Sequence, residues 1–212
     1  MHSTFADLAE LAGELRRVEG PLAQRWDSAR ALFAEWAGQP GLVDVLRGAL
    51  RRLPPEQAAA VAASSRETTT HFAWCLADPP DDDFSFWLNE YKPQRDWRRG
   101  YADSVHNHRY HFCTTILRGS YVQESFRVEL DAAGSTVIGA ARVERSVRRA
   151  GTVESLLADE FHRIPEAADG TVTFLVKSRP LKRWSLSYDP DSRASHRHVP
   201  VEARFHDLAD RL

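Results

Sequence analysis

Residues 100–119, GYADSVHNHRYHFCTTILRG, decide the fold. His106 and His108 stand two residues apart in a segment of strand character, and side chains at i and i+2 of a strand leave it on the same face. Two imidazoles so placed reach one ion from one side of a sheet, which is metal-ligand geometry. Nine histidines in 212 residues also produce an HxH pair by chance, and such a pair is ordinarily an exposed polar one. Gly100 stands six residues before His106, and Gly119 closes the apolar run that follows. Downstream a second spaced run, Gly151-x5-Leu157-x-Asp159-x2-His162, ends on a third histidine.

Around these runs the text is that of a β-protein. From about residue 71, short β-type segments alternate with turn clusters, at 71–77, 84–91, 103–108, 111–118, 121–130, 136–141, 152–156, 171–177 and 182–188. Many short strands at this spacing predict a sandwich or barrel rather than a βαβ fold, with the antiparallel jelly roll as the natural candidate. The acidic run 78–83, DPPDDD, lacks the spacing of a calcium loop and reads as a solvated hairpin turn.

The first 65 residues differ. Rich in Ala, Leu, Arg and Glu, they place Phe5, Leu8, Leu11 and Leu15, then Leu22, Trp26, Ala29, Phe33 and Trp36, at helical spacing. Ser3 or Thr4 suits the cap of the first helix, Gly20-Pro21 separates it from the second, and Pro54-Pro55 opens the last. The predicted organisation is a helical segment over 1–70 packing on a barrel domain over 71–212.

Composition narrows the classes of function. A formal charge of -2, from 28 basic and 30 acidic side chains, gives no overall drive toward nucleic acid or anionic membrane. The paired arginines beginning at 16, 51, 98 and 148 are scattered between elements and read as solvated faces. No apolar run approaches the roughly 18 residues of a membrane span. Only Cys75 and Cys113 occur and no basic-then-apolar leader opens the chain, so a disulfide framework is not suggested and a reducing cytoplasm is the expected location.

Three neutral imidazoles on a rigid barrel suit Fe(II), with Ni, Cu, Zn and Mn as competitors, and leave positions open for water, substrate or dioxygen. The proposed ligand set is His106 and His108 with His162, the last added by the resemblance of the two spaced runs to the paired motifs of a known metal-binding superfamily. Alternation along 121–130 puts Glu124 on the apolar face with Val122, Phe126 and Val128. A carboxylate facing a barrel interior is costly unless paired, protonated or metal-bound, so Glu124 is a candidate ligand, base or substrate anchor, against a salt bridge to a neighbouring arginine or a register shifted by a bulge. Tyr121 is, with Glu124, a candidate catalytic residue that orients substrate or moves a proton, and Arg95, His111, Cys113 and Trp184 are candidate pocket residues for which packing is the competing role. His196 and His198 repeat the HxH spelling but lack flanking glycines and a distal partner, and read as a loop pair.

The two spaced runs resemble the paired motifs of the cupin superfamily, although the proline and second glycine of the second motif are replaced by Leu157 and Asp159. The usual motif glutamate is also missing, its places holding Phe112 and Cys113. Helices for the first third, His-Asn-His at 106–108, Cys113 five residues past the second histidine and FHRI at 161–164 make the chain look most like the cysteine-dioxygenase-type branch. That resemblance implies a mainly β, antiparallel double-stranded β-helix (cupin jelly roll) with a three-histidine iron site. The branch's substrate-gripping residues are replaced: Thr173, Leu175 and Lys177 stand where serine, histidine and tyrosine are expected, and Ala73 where arginine is. The expectation is a mononuclear non-haem Fe(II) oxygenase that acts with dioxygen on a small polar or amino-acid-derived metabolite other than cysteine, as a monomer or homodimer without nucleic-acid or membrane partners. Two alternatives stay open: an isomerase or lyase using the metal as Lewis acid, and a non-catalytic small-molecule-binding cupin.

Overall fold

The structure, a computed structural model, describes residues 6–200 together with Leu208 and Arg211. Ser3, Thr4 and Phe5, expected at the start of the first helix, lie outside the described residues.

The helical third forms α1 (Ala6–Arg17), α2 (Trp26–Ala37), α3 (Leu42–Arg51) and α4 (Pro55–Ser64). In α1 the apolar residues Leu8, Leu11, Ala12 and Leu15 fall at i, i+3, i+4 and i+7, and all four are buried, the stripe a core-facing helix requires. Helix α2 does the same with Trp26, Ala29, Phe33 and Trp36. Pro55 occupies the first position of α4, where a missing N–H costs nothing.

Among the described residues twelve strands follow: β1 (Arg66–Glu67), β2 (His71–Ala77), β3 (Phe84–Tyr91), β4 (Val105–His106), β5 (Phe112–Arg118), β6 (Ser120–Leu130), β7 (Val137–Arg149), β8 (Val153–Leu156), β9 (Phe161–Ala167), β10 (Val172–Ser178), β11 (Ser185–Asp189) and β12 (Ala194–His198). They make two six-stranded sheets, β1-β2-β3-β10-β5-β8 and β12-β11-β4-β9-β6-β7, antiparallel at every recorded pairing. From β3 onward the chain crosses between the sheets repeatedly, β4 in the second, β5 in the first, β6 and β7 in the second, β8 in the first, and so on to β12. This is a jelly-roll β-sandwich with helices at its N-terminal end, as expected.

The first sheet is buried on both faces. On one, Leu76, Phe84, Phe86, Leu88, Cys113, Phe174 and Val176 pack against the buried residues of α1 to α3. Phe174, fully buried, lies 4.9 Å from Trp36 and 6.1 Å from Phe33 between ring centroids, a burial worth about 2–3 kcal/mol per side chain. Trp26 Nε1 donates to Ser155 Oγ at 3.0 Å, and Arg16 makes two 2.7 Å bonds to Asp82. The acidic 78–83 turn is therefore an anchor for α1. The other face turns Ala73, Trp87, Phe112 and Leu175 toward the second sheet.

Some boundaries differ from the sequence reading. Strand β7 runs 13 residues to Arg149 rather than ending near 141. Strand β9 carries Pro165, which has no N–H to give a ladder. The β6 register shifts between Val122 and Glu124, opposite Glu166 and Arg163, so the proline sits at a bulge. Residues 194–198 form β12, fully paired to β11, where a loop was expected. Gly119 has φ +81°, and a Cβ there would stand 2.9 Å from Thr171 Cα; glycine is required where the chain turns from β5 into β6.

Candidate metal centre

His106 and His162 are direct cross-strand partners of β4 and β9. Their neighbours Val105 and Phe161 turn to the opposite face and pack with Val137, Leu186 and Tyr188, as strand alternation requires. His108 lies just beyond β4, and its position is held by Asn107. The Asn107 N–H donates to Leu186 O at 3.1 Å and its side-chain Oδ1 accepts from Leu186 N at 2.8 Å, which extends the ladder after the strand itself has ended.

The three histidines offer ligand atoms within 4.8 Å of one another, the three-residue cluster found among the described residues. His108 Nε2 and His162 Nε2 are 2.9 Å apart. His106 Nδ1 lies 2.8 Å from Ser104 O; a carbonyl only accepts, so Nδ1 carries the proton and Nε2 keeps a free lone pair. Burial pushes His106 down to about 4. It holds His108 and His162 well below the ordinary imidazole value, with the neighbouring ring of His106 adding to the effect. All three are neutral at pH 7, the form that binds a metal.

The residues fit an ion. Two imidazoles bound at about 2.0–2.1 Å at right angles to each other bring their nitrogens about 3.0 Å apart, close to the observed 2.9 Å. Without an ion the same two nitrogens make a single N–H···N hydrogen bond. Aromatic rings enclose the cluster, with Phe112 at 4.8 Å from His108 and Tyr101 at 4.4 Å from His106 between centroids.

The cluster opens onto a cavity of about 480 Å³ between the sheets. Tyr121 lines it, and its hydroxyl donates to Glu154 Oε2 at 3.1 Å. Gln123 beside it also reaches Glu154, at 3.4 Å. Two histidines not assigned from sequence join the wall: His71, pushed to about 3 by burial and then by Lys177 and Arg66, and His198, whose Nε2 is 2.7 Å from Ser187 Oγ. The second HxH pair thus sits on a strand, with His198 at the cavity. Strand β10 contributes Thr173, Leu175 and Lys177.

The remaining candidates lie elsewhere. Glu124 is fully buried but bonds Arg142 at 2.8 Å, Arg145 at 2.5 Å and Arg163 at 2.6 and 2.9 Å. It is the Cα partner of Arg163, one step out of phase with His162, and so turns away from the cavity. Burial pushes its carboxyl up, but the bonds from Arg145, Arg163 and Arg142 outweigh this and hold it below the usual range. Cys113 faces the helices with Phe174, and burial raises its thiol to about 12. His111 accepts from Ala158 N at 2.8 Å beside Trp26, outside the cavity. Arg95 is exposed next to Asp96. Trp184 packs on the far side of the second sheet under the Arg197 guanidinium.

No family model and no curated protein matches the chain. Among solved structures, a mutant oxalate decarboxylase from Bacillus subtilis aligns with a TM-score of 0.38 at 16% identity, over 58% of this chain and 29% of that one. A 7S globulin from Momordica charantia aligns at 0.40 and 12%, over 64% and 35%. The formate complex of a Lactobacillus farciminis oxalate decarboxylase aligns at 0.38 and 17%, over 68% and 38%. The matched region is less than two fifths of each of those chains, and the account of the centre rests on this chain's own residues. No helix of the described residues is long and apolar enough to cross a membrane. The jelly roll and its three-histidine centre accord with the cupin resemblance; the cysteine-dioxygenase-type branch loses one of its supports, since Cys113 lies outside the cavity.

Proposed function

We propose that the chain is a metal-dependent, cupin-type enzyme in which His106, His108 and His162 hold Fe(II), and that it oxygenates a small polar or amino-acid-derived metabolite in the adjoining cavity. The observation that carries this reading is the convergence of three neutral imidazoles, with no carboxylate among the cavity-lining residues described, at one wall of a cavity between the sheets. Iron(II) held by three neutral ligands supplies redox chemistry with dioxygen beside a bound substrate.

The chain's own residues bind and orient. Tyr121 spends its proton on Glu154, so its oxygen offers lone pairs to a substrate donor. Burial, and then the Glu154 charge, keep that phenol protonated far above pH 10. Phe112 and Tyr101 keep water from the histidine cluster, and Asn107 fixes the separation of the two β4-side ligands.

Elemental analysis of protein purified without added metal tests the centre. Stoichiometric iron in wild type, and its loss together with turnover in His106→Ala, is the expected result; full activity in the variant ends the assignment. Oxygen dependence tests the reaction class. Turnover undiminished under anaerobic conditions would replace oxygenation by Lewis-acid isomerase or lyase chemistry, and a protein that purifies without transition metal would favour a binding module.

A further inference from the structure

We infer that Lys177 is the anchor for an anionic group of the substrate, so that the cavity takes a small carboxylate-bearing molecule. The inference rests on the cavity being the substrate site, and adds the ligand's charge to that reading.

Lys177 lies on β10, the fourth strand of the first sheet, with Ser85 and Phe112 as its cross-strand partners. Alternation sends Phe174 and Val176 toward the helices, and Thr173, Leu175 and Lys177 toward the cavity. The lysine is only 6% exposed. Its Nζ stands 4.0 Å over the Trp87 ring and 5.3 Å from that of Tyr110, and among the described residues it has no carboxylate partner. An ammonium buried in this way is costly, and cation–π contact offsets that cost by only about 1–2 kcal/mol.

The surrounding charges sharpen the point. Arg66 also lines the cavity and lies 4.9 Å over the same Trp87 ring, so two cations flank one indole. None of the described lining residues is Asp or Glu. A concave site whose described walls carry Lys177 and Arg66 and no carboxylate is complementary to an anion. Burial, followed by Arg66, brings the Lys177 ammonium down to about 7, with Cys75 and Asp78 acting weakly in the other direction; a bound carboxylate reverses that depression by favouring the charged form.

Competitive labelling tests the inference on the full chain as purified and again after chelation. Lysines are acetylated with acetic anhydride at pH 7 and Lys177 modification is followed by mass spectrometry, in the presence of oxalate, succinate or glutamate and of the neutral succinamide. At least one carboxylate is expected to slow labelling of Lys177 at least fivefold, with succinamide without effect, and protection is expected to survive chelation. In Lys177→Met, affinity for the protecting carboxylate measured calorimetrically should fall at least tenfold while the melting temperature holds or rises, because a buried charge has been removed; Lys177→Arg should keep part of the affinity. Equal protection by succinamide, protection by no carboxylate, protection lost with the metal, or unchanged affinity in Lys177→Met overturns the inference. Iron content is unaffected by these outcomes, so failure of the anchor and failure of the metal centre are read separately.

Discussion

Glu124 and Arg163 face one another across β6 and β9, one position along from Ser125 and His162. That single step separates a carboxylate that stabilises from an imidazole that can hold a metal. Glu124, fully buried, receives bonds from three guanidiniums that are themselves 27–52% exposed. Removing the carboxylate leaves three arginines crowded together over a core position. Breaking a buried ion pair costs about 3–5 kcal/mol, and partial solvation of the arginines moves the expectation to the lower end. Glu124→Ala is therefore expected to lose about 2–3 kcal/mol in urea denaturation with metal content and metal affinity unchanged. A fall in metal content at unchanged stability would instead put Glu124 in the centre. At Gly119 the strain is of the backbone: Gly119→Ala forces a Cβ into Thr171 at φ +81°, and a loss of about 1–3 kcal/mol is the expected result by the same measurement.

At the scale of elements, helices α1 and α2 and strands β2 and β3 stand in the sequence with almost their observed bounds, because each buries one regular stripe. The three histidines were legible too, since flanking glycines and internal spacing survive without any structure. Glu124 was misplaced for a physical reason. Phe126 and Val128 pack with Val105 and Phe161 on the far side of the second sheet, so that sheet is apolar on both faces, and alternation alone does not say which face meets the cavity. Cys113 was misplaced in the same way, because the helices make a second buried face on the first sheet. Strand β9 was hidden by Pro165 and its bulge, and His198 by the absence of any apolar period in β12. The helical cover itself yields a prediction. Phe174, buried between Trp36, Phe33 and Phe86, joins α2 to the centre of the first sheet, one residue from the cavity-lining Thr173 and Leu175. Phe174→Ala should cost about 3–5 kcal/mol. If the helices only cover the sheet, metal affinity measured below the melting transition should be unaltered; a parallel loss of affinity would show that they also position the cavity wall.

For the whole molecule, the consequence of placing so many bases between two sheets is a stability that rises with pH from the acid side to just above neutrality. Four imidazoles, buried at His106 and His162 and half-buried at His71 and His108, have values pushed below the ordinary 6.5 by desolvation, to about 3 for His71 and about 4 for His106. In the unfolded chain they take up protons as pH falls through about 6.5; in the fold they do not until well below that. Between about pH 6.5 and 4 the unfolded state holds more protons, so stability falls as pH falls, by about 1.4 kcal/mol per pH unit for each group fully titrated in one state only. Lys177 opens a second window with the same sign: folded near 7 and unfolded near 10.5, it makes stability rise with pH across that interval. Urea titrations of chelated protein should therefore show a steep loss of stability from pH 6.5 to 4.5 and a gain from 7 to about 8.5, beyond which the thiols of Cys75 and Cys113, raised by burial to about 11 and about 12, hold protons in the fold that the unfolded chain releases and reverse the trend. Lys177→Met should remove the gain without touching the loss, and His71→Asn should reduce the loss by the share of one group while leaving the metal ligands in place. Added metal should raise stability most near neutrality, where the imidazoles are free to bind it, and progressively less as protons compete in acid. A profile that is flat from pH 6.5 to 4.5 in the chelated protein would mean that these histidines are already solvated and protonated in the fold, which is incompatible with the closed, neutral three-histidine centre.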